Sequence, residues 1–244
     1  MLRSIIGYPY LALSVLFLTP YMLWMGRKIK KSPANACGAS VHRTANRWAR
    51  SILKICGARL HVTGLENIPA EGALLFVSNH QSDIDIVVFL SCVTRPIGFV
   101  AKIEMLKVPL MRTWMRHMRC VFLDRKDIRQ SAKTILEGIG VLKSGHSLVL
   151  FPEGTRTRSN DTLPFKAGGF KLATKPKVPV VPVTISGTYK IMEENHYRIK
   201  PADVYVTFHP AADTASLDGE ALAALPREVE ALIKNGLGDR RAAL

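Results

Sequence analysis

The rhythm of apolar and polar positions changes near Arg59. Upstream, Ser4 to Gly26 runs for 23 residues without Asp, Glu, Lys, Arg or His, between Arg3 and the group Arg27, Lys28, Lys30 and Lys31. Such a run is long enough for a membrane helix, with Tyr8, Tyr10, Tyr21 and Trp24 placed as interfacial aromatics. Pro9 and Pro20 interrupt it near both ends. No small-x-small cleavage site follows the long apolar core, which argues for a retained anchor over a signal peptide. Residues 40–57 then take a helical period. Val41, Ala45, Trp48 and Ile52 form one stripe, and Arg43, Arg47, Arg50 and Lys54 form another. An apolar stripe beside an acid-free basic stripe predicts a helix lying on an anionic membrane surface. A helix packed on the protein core with a solvated basic face has the same pattern.

From Arg59 onward, short β-rich runs alternate with amphipathic stretches. The pattern predicts strands at 59–63, 73–78, 97–101, 120–123, 147–151, 180–185 and 203–208. Helices are predicted at 83–92, 104–117, 127–143, 168–175 and 218–235. Strands alternating with helices imply an α/β fold with a mostly parallel sheet covered by helices on both faces. The expected organisation is therefore an N-terminal membrane anchor with a basic amphipathic helix at 1–58, followed by an α/β domain at 59–244.

Charge sharpens this division. The 244 residues carry 34 Lys and Arg against 19 Asp and Glu, a net charge of +15, yet residues 1–65 hold ten of the basic residues and no acid before Glu66. A basic excess of this kind seeks an anionic partner, either nucleic acid or lipid. The basic helix has a single aromatic, Trp48, and adjoins the apolar segment, so membrane lipid is favoured and nucleic acid is not expected. Four dispersed cysteines without a Cys-x-x-Cys pair indicate reduced thiols in a cytosol-facing protein. The chain has no Gly-x-Ser-x-Gly elbow, Walker loop, Gly-x-Gly-x-x-Gly or zinc spacing, so neither a nucleotide cofactor nor a metal is expected.

Candidate chemistry gathers where apolar strands end. In Ser78-Asn79-His80-Gln81-Ser82-Asp83-Ile84-Asp85, Ser82 can cap the next helix, with Asp83 and Asp85 in its first turn. His80 then lies within reach of Asp85, as a base beside an orienting acid; giving both acids to the helix dipole is the simpler structural alternative. A second polar segment, Phe151-Pro152-Glu153-Gly154-Thr155-Arg156, follows another apolar strand, and two such strand ends imply one shared cleft. Arg156 offers a fork for phosphate, and Gly154 lets backbone approach a ligand. Lys166 with Gly168-Gly169 offers a further anion-friendly helix start. Lys102 and Arg125 sit at strand ends, where cations pair with acids or bind anions; Asp124 beside Arg125 leaves both readings open.

Four segments taken in order resemble the motifs of the glycerolipid acyltransferase family. They are NHQSDID, the segment with Lys102 and Arg125, FPEGTR, and Val178-Pro179-Val180-Val181-Pro182. The resemblance spans roughly residues 60–210, with Met105, Arg112 and Arg119 departing from the usual pattern. It implies transfer of a fatty acyl group from an acyl thioester, on coenzyme A or an acyl carrier protein, to the sn-2 hydroxyl of lysophosphatidic acid. His80 and Asp85 would be the catalytic pair. Glu153, Gly154, Thr155 and Arg156 would bind the acceptor, Lys102 and Arg125 would add phosphate contacts, and Val178–Pro182 would lie near the donor. No cofactor beyond the donor is implied, and the expected location is the cytoplasmic face of the inner membrane. The alternatives are acylation of another lyso-lipid, such as a lyso-amino-acid lipid, and a non-catalytic lipid-binding protein.

Overall fold

A computed structural model describes residues 2–31 and 37–242. Positions 1, 32–36 and 243–244, which belong to the two expected units, lie outside the described residues. Seven strands form one sheet: β1 (Ala58–Thr63), β2 (Leu75–Ser78), β3 (Ile97–Lys102), β4 (Val121–Leu123), β5 (Ser147–Leu150), β6 (Val180–Ser186) and β7 (Ala202–Phe208). Their order is β1-β7-β6-β2-β5-β3-β4, and every pairing is parallel except β6 with β7. The sheet is thus mostly parallel, as the alternation of elements implies.

The central strands are buried on both faces because their residues are apolar without alternation. In β2, Phe76 packs into one core cluster while Leu75 and Val77 pack into the other. The first cluster lies under α2 (Thr19–Lys31), α3 (Gly38–Cys56), α4 (Ile84–Cys92) and α5 (Pro109–His117). The second lies under α6 (Ile128–Lys143), the single turn α7 (Lys171–Thr174) and α8 (Gly219–Ala242). Asp127 starts α6 by accepting from the N–H groups of Arg129 at 2.8 Å and Gln130 at 3.1 Å.

Three expectations change. The helix predicted at 104–117 divides into a 3-10 turn, Ile103–Lys107, and α5, because Pro109 takes the first helical position, where its missing N–H costs no bond. The stretch at 168–175 likewise divides, into the 3-10 turn Ala167–Phe170 and α7. The third change concerns α3. Its apolar residues Val41, Ala45 and Ile52 are buried in the protein core against α4, so that stripe faces protein and not a bilayer. Arg43, Arg47, Arg50 and Lys54 remain exposed.

The apolar N-terminal run divides at Leu18 between α1 (Leu2–Phe17) and α2, where Thr19 and Pro20 open the second helix. Residues Leu2–Lys31 together are long and apolar enough to cross a membrane. They are nevertheless fastened to the body along much of their length. Arg3 Nη1 donates to the Ile55 carbonyl at 2.8 Å, Tyr10 Oη to Ser51 Oγ at 2.9 Å, and Trp48 Nε1 to Ser14 Oγ at 2.9 Å. Met22 and Met25 enter the core. The opposite side presents Leu2, Ile5, Leu13, Leu16, Phe17 and Trp24, with Phe17 78% exposed.

Candidate active site

The polar motifs converge because β2 has β5 on one side and β6 on the other, all three running parallel. Their carboxyl ends deliver Asn79–His80, Phe151–Arg156 and Ser186–Thr188 to one rim of the sheet. Ligands of parallel α/β sheets bind at such a rim, in the crevice where successive strands go to opposite sides.

His80 and Asp85 meet there. His80 Nδ1 lies 2.7 Å from Asp85 Oδ2, and Asp85 is fully buried. An ionised carboxylate only accepts, so the Nδ1 position carries the proton and Nε2 keeps a free lone pair. The same Oδ2 accepts from the N–H groups of Gln81 at 2.7 Å and Ser82 at 2.9 Å. Asp85 therefore holds the turn as well as the imidazole. The N-cap of α4 is Asp83, whose side chain makes no cap bond; Ser82, one residue before it, supplies the acceptor instead, its Oγ accepting from Ile84 N–H at 3.0 Å. The imidazole stacks on Phe151 with ring centres 4.1 Å apart, which fixes its plane.

Glu153 lies behind the histidine loop: one carboxylate oxygen accepts from His80 N–H at 2.7 Å and the other from Leu163 N–H at 2.9 Å. The residue is only 3% exposed, and it ties the histidine loop to the 155–166 loop. Burial pushes its carboxyl up to about 7, against the two N–H donors, which favour the charged form.

The cations fall into two groups. Arg156 Nη1 pairs with Asp83 and lies 3.8 Å from the buried carboxylate of Glu193. Asp83, which the sequence places at the start of this helix, thus also holds Arg156. Burial raises the Glu193 carboxyl, while the Ser82 hydroxyl, donating at 2.8 Å, opposes that rise. The second group surrounds Gly154, whose φ of +79° belongs to the left-handed region. A β-carbon at Gly154 would lie 3.1 Å from Lys166 Nζ and 3.7 Å from Arg125 Cζ, so both cations stand over that backbone. Lys102 is linked to Arg125 through a shared acid. Its Nζ is 3.0 Å from Glu104, and Glu104 also acts electrostatically on Arg125. Asp124 does not pair with Arg125 among the described residues; it accepts from Lys126 N–H at 2.9 Å. Thr155 is exposed at the turn.

Of the segment Val178–Pro182, Val180, Val181 and Pro182 are buried at the start of β6, paired with Leu75, Phe76 and Val77 of β2, and Val178 and Pro179 are half-buried ahead of it. Its contribution is to carry Ser186–Thr188 to the rim. Thr188 and Glu193, both in contact with the first motif, escaped the sequence analysis, because single polar residues after a strand carry no spacing signal.

Residues 59–186 match the family described as Acyltransferase. The 1-acyl-sn-glycerol-3-phosphate acyltransferase of Borreliella burgdorferi is 33% identical over 68% of this chain and 66% of its own length. The chloroplastic 1-acyl-sn-glycerol-3-phosphate acyltransferase BAT2 of Brassica napus is 35% identical over 83% of this chain and 57% of its own length. The chain thus spans somewhat under two thirds of these curated relatives. The crystal structure of the 1-acyl-sn-glycerophosphate acyltransferase PlsC from Thermotoga maritima superposes with a TM-score of 0.84 at 28% identity. That superposition covers 99% of this chain and 95% of the other.

Proposed function

The chain belongs to the acyltransferase family, and on that premise we propose that it acylates the sn-2 hydroxyl of lysophosphatidic acid, giving phosphatidic acid. The observation that carries this reading is the His80–Asp85 hydrogen bond of 2.7 Å at the rim where the family motifs converge. His80 Nε2 takes the hydroxyl proton as the oxygen attacks the thioester carbonyl. The tetrahedral oxyanion then collapses, the C–S bond breaks, and the thiolate leaves with the proton that His80 accepted. No residue is acylated.

The acceptor phosphate sits against Gly154 between Arg125 and Lys166, with Lys102 nearby and Thr155 at the turn. Arg156 joins it by exchanging Asp83 for a ligand of higher negative charge. Fixing the phosphate fixes the hydroxyl beside His80, which is catalysis by positioning. Glu153 supports this from behind, through the backbone of His80. The donor is an acyl thioester of coenzyme A or of an acyl carrier protein.

Residues 1–58 act as the membrane anchor of the α/β domain at 59–244. The outward apolar side of α1 and α2 enters the lipid, and the basic stripe of α3 meets anionic headgroups on the cytoplasmic face of the inner membrane. The test is purified protein in detergent, given lysophosphatidic acid, lyso-lipids without a phosphomonoester, and each donor. Phosphatidic acid as the main product is expected. Acylation confined to a lyso-amino-acid lipid would overturn the acceptor, and lipid binding without turnover on any thioester would overturn the reaction.

A further inference from the structure

The corner after β6 reaches Asp85 from a part of the chain that no motif marks. At Gly187 the backbone turns with φ +98°, and a β-carbon there would lie 2.3 Å from the Asp203 carbonyl oxygen, so only glycine fits. The turn delivers Thr188, fully buried, whose Oγ1 donates to Asp85 Oδ1 at 2.5 Å. Two further ties hold the corner against the histidine loop. Gly187 N–H donates to Gln81 Oε1 at 2.9 Å, and the Asn79 amide exchanges two bonds with the backbone of Ile185, at 2.8 and 2.9 Å.

Donors are divided unequally over the Asp85 carboxylate. Oδ2 receives His80 and the N–H groups of Gln81 and Ser82, whereas among the described residues Oδ1 receives Thr188 alone. Three donors fix where Oδ2 sits. The donor on Oδ1 stops the carboxylate from rotating about its bond to Cβ, and it withdraws part of the negative charge that His80 feels.

We propose that Thr188 is a positioning residue for acyl transfer: its hydroxyl sets the orientation and charge of Asp85, and through Asp85 those of the His80 imidazole. The proposal rests on His80 being the base. Thr188 is fully buried behind Asp85, so its removal acts on the chemical step and not on binding.

The test compares Thr188→Val and Thr188→Ser with the wild type, in kcat, in KM for donor and acceptor, in the pH profile of kcat/KM and in thermal melting. Thr188→Val is expected to lower kcat about tenfold, the scale of one bond to a charged group, with both KM values unchanged. With one donor fewer, Asp85 holds the imidazole proton more strongly, so the acidic limb of the profile moves to higher pH. Thr188→Ser keeps the donor and is expected to restore kcat and the profile. Wild-type kcat in Thr188→Val, equal losses in both variants, or unfolding of Thr188→Val would each overturn the proposal. His80→Ala separates the two claims. If it is inactive while Thr188→Val is normal, only the role of Thr188 falls; if it keeps wild-type turnover, the reading of the site falls and this proposal with it.

Discussion

At the carboxyl ends of β2, β5 and β6, Asn79, Gln81, Ser82, Asp85, Glu153 and Thr188 are polar and buried; along α1 and α2, Leu2, Ile5, Leu13, Leu16, Phe17 and Trp24 are apolar and exposed. Both regions reverse the usual distribution of side chains, and they compensate in different ways. Every polar group named at the rim has a hydrogen-bonding partner, so the cost of burying it is offset inside the protein and a single geometry results. The outward residues of α1 and α2 have no such internal compensation, because apolar surface is satisfied only by removal from water. The rim is thus complete within the chain, while the flank leaves apolar surface that the proposed anchoring would cover with lipid. In the proposed reaction, whose acceptor and product are both lipids, this division places rigid chemistry beside an adhesive surface.

Perturbing the rim should change turnover, and perturbing the flank should change access. After removal of His80 itself, the largest effect is expected from Asp85→Asn. An amide there presents an NH2 group to the donors around it and misorients the imidazole, so kcat should fall about a hundredfold, within the range of general-base catalysis. Steady-state rates on soluble short-chain substrates measure it, and a loss below threefold would break the assignment of Asp85.

Arg156→Ala comes next. One charge-assisted bond is worth about 1.5–3 kcal/mol, so the acceptor KM should rise roughly tenfold or more, with a smaller fall in kcat and no change in donor KM. A collapse of donor affinity alone would move FPEGTR to the other substrate.

On the flank, replacing Arg43, Arg47, Arg50 and Lys54 together by Gln should weaken binding to anionic vesicles by about 1 kcal/mol per charge near the surface at low salt. The difference should shrink at high salt and spare turnover on soluble acceptors. Equal sedimentation of variant and wild type with anionic and neutral vesicles would leave insertion of α1 and α2 as the sole source of attachment.

The smallest effect concerns Glu153. Its folded pKa of about 7 lies above the value of a free carboxyl. The stability that it contributes is therefore fully present below that free value and is lost as pH rises through about 7. Melting temperatures of wild type and Glu153→Gln, compared from pH 4 to 8, should shift against the wild type as pH rises. A difference independent of pH would remove the titration from Glu153.

Strands were legible where apolar residues run unbroken between polar ends, as in Leu75–Ser78 and Ser147–Leu150. Helix boundaries were less so, since Pro109 divides a stretch whose periodicity alone continues across it. The stripe on α3 was ambiguous by nature: Val41, Ala45 and Ile52 bury equally well in lipid or in protein, and only the position of α4 decides. His80, Asp85 and the glycine turn at 154 share short segments, and local spacing could indicate them. Thr188 donates to an aspartate 103 positions earlier, and Arg156 pairs with Asp83 across 73. Contacts of that reach come from the order of strands in the sheet and leave no local trace in sequence.

The central claim is that lysophosphatidic acid is acylated at the rim with His80 as base. It is tested most directly by measuring phosphatidic acid formation by wild type and His80→Ala, reconstituted side by side in anionic vesicles with lysophosphatidic acid and an acyl thioester. Steady product formation by the wild type, and a rate lower by about 10²–10⁴-fold in a variant that melts and binds vesicles like the wild type, is the predicted result. Retention of more than roughly a tenth of the wild-type rate by His80→Ala would contradict the account.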